Sequence, residues 1–385
     1  MRINKINFII FISLFINNLV AFPLIIINIL KKRESILLIA LFISIFAFFF
    51  EFNNGVSDLD RYYSLYLGSE NERKIFFDYQ KDIYAEYLMK FLLYFGLSKN
   101  FIGMISAFIT YYFLFKVLNL NLNKKLTKFE YLSIYILYFL SIPFVGYTGV
   151  RFWPALSIML YGLMLKLKNK DKKWIVYSVL SLGIHSSMLL PLILAICVFY
   201  FNPIKSIKKL KLFILISYLI GQIISPENLF KFITFINSLG YIYIPKSYIL
   251  GIWGAGAQNR YETKLSLLFQ SHVFPMLFLL IIIFYILKYL KYNLLDFYIG
   301  YFIMFYLLFI KYEILTLRYG ALVFLLIINS ILIKNINRKW IIISLIIIYS
   351  ILGRLVEIRR YNESIKNSFY NPVKVSITGI ILEEK

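Results

Sequence analysis

Residues 174–201 read WIVYSVLSLGIHSSMLLPLILAICVFYF, an apolar run of 28 residues with no Asp, Glu, Lys or Arg. A helix needs about 20 such residues to cross a bilayer, so this run is longer than one crossing requires. Its middle carries Gly183, His185, Ser186 and Ser187, and Pro191 follows about one turn later. Glycine and proline both weaken the interior of a helix. The run therefore predicts membrane-embedded helical structure that is interrupted near His185.

Ten further apolar runs delimit candidate spans. They cover residues 7–30, 35–52, 101–120, 129–147, 152–167, 211–225, 266–287, 294–311, 317–333 and 340–357. Of the 385 residues, 61% are hydrophobic and 16% are charged, whereas soluble proteins are about half apolar. We predict an all-α, polytopic membrane protein of about 11 spans (about 10 to 12), built as one transmembrane domain over 1–385. This composition excludes a soluble enzyme, a disordered chain and, despite the net charge of +23, a nucleic-acid-binding module.

The short connectors between the runs are basic. Six of them, which hold half of the 42 Lys and Arg residues, lie at 31–33, 116–128, 166–173, 205–211, 288–291 and 334–339. Because short basic loops stay in the cytoplasm, we place all six there. Both connectors that flank 174–201 then lie on one side, although 28 residues of straight helix would measure about 42 Å. Two interpretations are open, namely a re-entrant hairpin with its tip near the outer half of the bilayer or one long tilted helix.

If residues 174–201 form a hairpin, two long loops and the C-terminal tail 359–385 face outward. The first loop, 53–100, contains a helical pattern near 74–95 with an apolar face. Beside that face runs a polar stripe of Asp78, Asp82, Glu86 and Lys90. We predict an amphipathic helix that lies in the interface plane. The second loop, 226–264, carries a Gly-rich segment at 251–256 and is expected to be irregular.

Arginines near the outer ends of the predicted spans are candidates for binding an anionic substrate. Arg151 is the only charge between two spans, Arg318 opens a later span, and Arg260 lies in the second outward loop. A guanidinium group is permanently charged and matches phosphate oxygens bidentately, so it suits a lipid-linked diphosphate. The remaining outward arginines, which we interpret as headgroup contacts, are Arg354, Arg359 and Arg360.

One histidine and three carboxylates are the candidate acid–base groups. His185 interrupts an apolar run, where a lone histidine is commonly a packed core group. At the tip of a broken helix it could instead act as a general base or donate a hydrogen bond to a diphosphate. Asp58, Asp60 and Glu86 lie in the first outward loop. They could deprotonate an acceptor hydroxyl and hold a sugar ring, or they could be solvated charges.

Cysteine and histidine usage predicts neither a metal site nor a disulfide. The single Cys197 lies inside an apolar run, and His185 and His272 are far apart with no further ligand near either in sequence. We therefore predict no metal and no cofactor.

Four features in chain order resemble the EpsG/Wzy-type membrane polysaccharide polymerases. They are Gly55-Val56-Ser57-Asp58-x-Asp60-x-Tyr62 after the second span, Glu86-Tyr87 before the third, Arg151-x-x-x-Ala155 opening a span, and an apolar stretch broken by His185-Ser186-Ser187. Arg318-Tyr319, which opens a later span, also fits. Each feature is short, so the resemblance depends on their order along nearly the whole chain. Pro154, close after Arg151, is an atypical neighbour for that arginine.

This resemblance implies a metal-independent glycosyltransferase of the bacterial inner membrane, similar to the multi-span GT-C-like enzymes. Such an enzyme would transfer a growing glycan from undecaprenyl diphosphate to the non-reducing end of a second lipid-linked repeat unit, on the outer face. By resemblance, His185, Arg151 and Glu86 would be catalytic. Substrate contacts would come from Asp58, Asp60, Tyr62, Arg318 and Arg260. The implied partners are the lipid-linked oligosaccharides, the bilayer and a chain-length regulator.

Two other classes use similar scaffolds and remain alternatives. A flippase or transporter of lipid-linked oligosaccharides would carry internal repeats and charges at the bilayer midplane. A membrane O-acyltransferase would also place a histidine among many spans. We find no repeat, and the arginines lie at the outer ends of spans rather than at their centres.

Overall fold

The computed structural model describes residues 5–50, 58–72, 83–122, 126–142, 149–169, 171–201, 203–238, 274–310, 312–333, 340–360 and 375–383. Over these residues the regular structure is helical and no strand occurs, which confirms the predicted all-α class. Several predicted features lie outside the described residues, namely residues 55–57 of the first motif, Asp78 and Asp82 of the polar stripe, the Gly-rich segment 251–256 and the candidate Arg260.

The described helices in chain order are α1 (Lys5–Ile16), α2 (Asn18–Leu30), α3 (Ile36–Phe48), α4 (Asp58–Glu72), α5 (Ile83–Tyr94), α6 (Asn100–Asn121), α7 (Lys128–Ser141), α8 (Phe152–Met164), α9 (Trp174–Ile184), α10 (Leu189–Ile196), α11 (Ile207–Ile223), α12 (Pro226–Ser238), α13 (Phe274–Phe284), α14 (Leu294–Leu308), α15 (Glu313–Ile333), α16 (Trp340–Arg360) and α17 (Ile377–Glu383). Single π-helical turns extend α8, α10 and α13. They cover Leu165–Asn169, Cys197–Phe201 and Tyr285–Tyr289.

One described helix, α6, is long and apolar enough by itself to cross a bilayer. It has 22 residues, or about 33 Å at 1.5 Å per residue. The other apolar segments of the described chain have between 10 and 17 residues. The count of about 11 spans expected at about 20 residues each therefore stays a prediction.

The first predicted span, 7–30, is not one helix, so that prediction is wrong. The chain breaks at Asn17, which adopts an extended conformation and whose side chain accepts a hydrogen bond from Leu19 N at 2.7 Å. Asn28 Nδ2 donates to Asn7 Oδ1, which places the end of α2 beside the start of α1. The two helices are therefore antiparallel. The polar Asn17-Asn18 pair causes the break, because Asn17 caps α2 while Asn18 donates to the Phe42 carbonyl at 2.8 Å.

The helices form two compact units. The first unit comprises residues 1–192 and 350–385, and the second comprises 193–349. In the first, α3 packs against α6, α6 against α8, and α8 against α9. In the second, α11 packs against α14, and α14 against α15.

Glycines allow the closest helix pairs to approach each other. A Cβ atom at Gly162 of α8 would lie 2.9 Å from Tyr177 Cβ and 3.1 Å from the Trp174 carbonyl oxygen of α9. A Cβ at Gly221 of α11 would collide with the Leu307 carbonyl oxygen of α14. Small residues at such contacts let helix backbones pack closely where lipid provides no hydrophobic drive between helices.

The predicted interruption near His185 is confirmed. Helix α9 ends at Ile184, His185 is extended at φ −151° and ψ 119°, and a 3₁₀ turn at Ser186–Met188 leads into α10. Pro191 falls in the first turn of α10, where a missing backbone N–H costs little. One continuous helix over 174–201 is therefore excluded, whereas the re-entrant hairpin stays a prediction, because residues from 193 onward belong to the second unit.

Replacing Gly221 tests the close contact of α11 with α14. We expect Gly221→Ala to destabilise the protein by about 1 to 3 kcal/mol, because the new methyl group must displace backbone atoms. The measurement is thermal unfolding of the purified protein in detergent. Gly183→Ala is the matched control, since nothing lies within 4 Å of a Cβ there. Equal melting temperatures for the two variants would contradict the close contact.

Candidate functional site

Helix α4 carries the described part of the first predicted motif, residues 58–62, and packs against the core of the first unit. Its buried residues, Leu59, Tyr62, Tyr63 and Tyr66, recur at helical spacing on one face. Gly103 of α6 leaves room for this face, because a Cβ there would lie 3.2 Å from the Tyr63 hydroxyl. The Tyr66 hydroxyl donates to the Leu97 carbonyl, just before α6 begins. Sequence analysis did not predict this helix, although the spacing of its buried residues indicates one.

Two arginines face the ring of Tyr62. The Arg61 guanidinium carbon lies 4.9 Å from the ring centroid, and that of Arg151 lies 5.7 Å from it. Arg61 also donates from Nη2 to the Tyr62 hydroxyl at 3.1 Å. The ring itself is 0% exposed, so it is a fixed support for both cations. We call Arg61, Tyr62 and Arg151 the arginine–tyrosine cluster.

The arginine–tyrosine cluster concentrates positive charge on a half-buried surface. Cation–π contacts contribute about 0.5 to 2 kcal/mol each, depending on desolvation. Two guanidinium groups at one ring place two permanent positive charges in the same region of the first unit. Phosphate and diphosphate oxygens match the guanidinium donors in geometry. The arrangement is therefore suited to an anionic ligand.

His185 lies beside the residue that follows Arg151. Its ring is 6.0 Å from that of Phe152, in an edge-to-face arrangement at 84°. Nδ1 accepts a hydrogen bond from Ser187 N at 3.1 Å and so caps the 3₁₀ turn that leads into α10. Because Nδ1 is an acceptor, the neutral imidazole carries its proton on Nε2. His185 is thus arranged as an Nε2–H donor.

The helix packing brings Arg151 and His185 to the same end of the first unit. Arg151 immediately precedes α8, and His185 immediately follows α9. These two helices are neighbours, and α8 also contacts the 3₁₀ turn after His185. Helix α4, which carries Tyr62, packs against α5 and α6.

The other predicted site residues that the structure describes lie on helices α4, α5 and α15. Glu86 of α5 forms an ion pair with Lys90 one turn later, and α5 packs against α4, α6 and α9. Asp58 and Asp60 belong to α4. Arg318 belongs to α15 of the second unit. Their roles stay predictions.

The described part of the predicted amphipathic helix is α5. It buries Ala85, Leu88, Met89 and Leu92 against the protein. Its opposite face exposes aromatic side chains, including Tyr87 at 67% and Tyr94 at 84%. Burial raises the pKa of Tyr84 to about 12, with the Ser106 hydroxyl opposing part of that increase. The Tyr84 phenol therefore keeps its proton at physiological pH.

A buried carboxylate in the second unit escaped the sequence analysis. Asp296 is 0% exposed, and its oxygens accept hydrogen bonds from the Tyr285 hydroxyl at 2.6 Å and from Lys291 N at 2.6 Å. Ser330 and Asn293 donate to it as well. Asn293 also caps α14, and the spacing Asn293-x-x-Asp296 is the sequence signal that would have indicated this cap. With this many donors, Asp296 joins α13, α14 and α15 structurally.

Among the residues that the structure describes, no three His, Cys, Asp or Glu side chains cluster in a way that could hold a metal ion. The structure does bring two guanidinium groups, those of Arg61 and Arg151, to the ring of Tyr62.

Substitutions at Tyr62 test whether its ring supports the two arginines. We expect Tyr62→Leu to lower stability by roughly 2 kcal/mol, because it removes both the buried ring and its cation–π contacts. Tyr62→Phe keeps the ring, so its stability should be closer to that of the parent protein. Thermal unfolding measures both variants, with the exposed Tyr87→Leu as a control that should change little. If the leucine and phenylalanine variants melted together, the ring would not be the support.

One known protein family matches the part of the chain that contains these residues. The EpsG family model matches residues 35–371, which include α3 to α16 and every candidate site residue. No curated protein and no solved structure matches the chain. The family match covers most of the chain and agrees with the resemblance in its motifs. The chain therefore belongs to the EpsG family.

Proposed function

We propose that this chain polymerises polyprenyl-linked oligosaccharide repeat units. Membership of the EpsG family indicates a polysaccharide polymerase-type function. The observation that carries the finer proposal is the arginine–tyrosine cluster, with His185 beside it across Phe152. A diphosphate leaving group needs positive charge and hydrogen-bond donors, and this surface offers both.

The proposed reaction transfers a glycan between two lipid-linked substrates. An acceptor hydroxyl oxygen attacks the anomeric carbon of the growing glycan, and the bond from that carbon to the undecaprenyl diphosphate oxygen breaks. The electron pair leaves with the diphosphate, whose charge the guanidinium groups of Arg151 and Arg61 compensate. A carboxylate takes the hydroxyl proton, with Asp58, Asp60 and Glu86 as the candidates.

His185 would act as a donor rather than as the base in this scheme. A general base needs a nitrogen that can accept a proton, and Nδ1 is already occupied by the Ser187 N–H. The Nε2–H group can instead stabilise oxygen atoms on which negative charge develops. Of the two roles that the sequence left open, the cap geometry favours the donor.

The proposed setting is the outer face of the bacterial inner membrane. The apolar helices and the family support a membrane-associated protein. We propose about 11 spans, a GT-C-like scaffold and a site that faces the periplasm or cell exterior. The exposed aromatic face of α5 suits the headgroup region, where aromatic side chains are enriched. The second outward loop with Arg260, the contribution of Arg318 and a chain-length regulator belong to the same proposal.

Reconstitution tests the function directly. Purified protein in proteoliposomes is given undecaprenyl-diphosphate repeat units, and the products are separated on a gel. We expect a ladder from the parent protein, and a turnover reduced about 10²-fold or more in Arg151→Ala, because charge stabilisation at the leaving group is lost. Arg354→Ala is the matched control and should retain its ladder. Movement of substrate between leaflets without a ladder would favour a flippase, and a normal ladder from Arg151→Ala would contradict the site.

Two substitutions separate the roles of His185. In His185→Asn the side-chain oxygen can still accept from Ser187 N, but no donor reaches the Nε2 position. In His185→Gln the amide N–H lies near the Nε2 position, but the cap is lost. We expect His185→Asn to fold with a parent-like melting temperature and to show a turnover about 10²-fold below that of the parent protein. The turnover of His185→Gln should be higher than that of His185→Asn. Full turnover in His185→Asn would show that His185 serves only to cap the 3₁₀ turn.

A further inference from the structure

A second polar cluster in the first unit lies where α1, α2 and α3 meet. Asn28, Glu34 and Ser35 line a narrow crevice together with Ile10, Ile25, Leu38 and Ile39. The polar residues come from the end of α2, from the connector and from the N-cap position of α3. None of them belongs to the arginine–tyrosine cluster.

Asn28 contributes an oxygen that accepts no hydrogen bond. The residue is 2% exposed, and its Nδ2 donates to Asn7 Oδ1, which fixes the orientation of the amide. Its Oδ1 atom is buried without a hydrogen-bond partner. A buried carbonyl oxygen without a hydrogen-bond partner destabilises the folded protein by about 1 to 3 kcal/mol. Its presence at this position therefore needs an explanation.

Glu34 contributes a second such oxygen, and Ser35 contributes a hydroxyl. Glu34 Oε1 accepts from the Tyr131 hydroxyl, whereas Oε2 is buried without a hydrogen-bond partner. The nearby Lys32 ammonium donates to the Leu126 carbonyl and faces the Tyr131 ring at 5.8 Å. Ser35 occupies the N-cap position of α3, yet its side chain makes no capping hydrogen bond. Three oxygen-bearing side chains therefore line one crevice.

The size and charge of the crevice indicate what it would accept. Carboxylate, amide and hydroxyl oxygens are ligands for hard cations. One carboxylate balances one positive charge, whereas divalent cations in proteins are held by more oxygens or keep several waters. The crevice is too narrow for a water molecule. A dehydrated sodium ion is smaller than water, whereas potassium is about as large, so cavity size favours sodium.

We propose that this crevice is a sodium site, with Asn28 Oδ1, Glu34 Oε2 and the Ser35 hydroxyl as ligands. The ion connects the end of α2 to the start of α3, beside Ile10 of α1. It satisfies both buried acceptor oxygens at once. The site is separate from the proposed transfer reaction and does not depend on it.

Thermal unfolding in different salts tests the sodium site. The purified full-length protein in detergent is melted in sodium, potassium and choline chloride at equal ionic strength. We expect the melting temperature in sodium to exceed that in the other two salts by about 2 to 4 °C, because an ion that binds only the folded state stabilises it. Equal melting temperatures in the three salts would overturn the proposal.

Two variants and a binding measurement keep the test specific. Glu34→Gln should lose the sodium-dependent increase, whereas Glu130→Gln, which changes an exposed acid at the start of the neighbouring α7, should keep it. If Glu34→Gln does not fold, the sodium site is tested by measuring the binding of radioactive sodium to the parent protein, with lithium as a competitor. An increase that persists in Glu34→Gln, or no sodium bound by the parent protein, would overturn the site.

Discussion

The buried ring of Tyr62 contacts two guanidinium groups, and the geometry of the candidate site depends on that contact. Arg61 comes from the same helix, whereas Arg151 is 89 positions later in the chain and precedes α8. The ring thus joins helix α4 to the residue that precedes α8. Tyr63 and Tyr66 reinforce this docking against α6 and the turn before it. The ring is the contact that the two positive charges share.

The positive charges of the arginine–tyrosine cluster determine which kind of ligand it suits. Two permanent positive charges at one ring suit an anion such as a diphosphate, whose oxygens match the guanidinium donors. His185 adds an Nε2–H donor whose orientation is set by its cap on the turn before α10. The site therefore combines permanent positive charge with one directed hydrogen-bond donor. This combination suits departure of a diphosphate better than deprotonation of a hydroxyl, which is left to a carboxylate.

Sequence patterns predicted the helical class and the break at His185, because apolar run length and helix-weakening residues are local signals. The same signals failed at 7–30, where Asn17 and Asn18 turn one apolar run into two antiparallel helices. Helix α4 was missed although Leu59, Tyr62 and Tyr66 follow helical spacing. Sequence could nominate Arg151 and Tyr62 separately. Their contact, and the part of Arg61 in it, arises from tertiary packing that a single sequence does not display.

Binding of inorganic pyrophosphate, measured by isothermal titration calorimetry on the purified protein, tests the central claim most directly. If the arginine–tyrosine cluster is an anion site, the parent protein binds pyrophosphate, and Arg151→Gln or Arg61→Gln weakens that binding about tenfold or more. A parent protein that binds no pyrophosphate, or variants that bind it with unchanged affinity, would contradict the account.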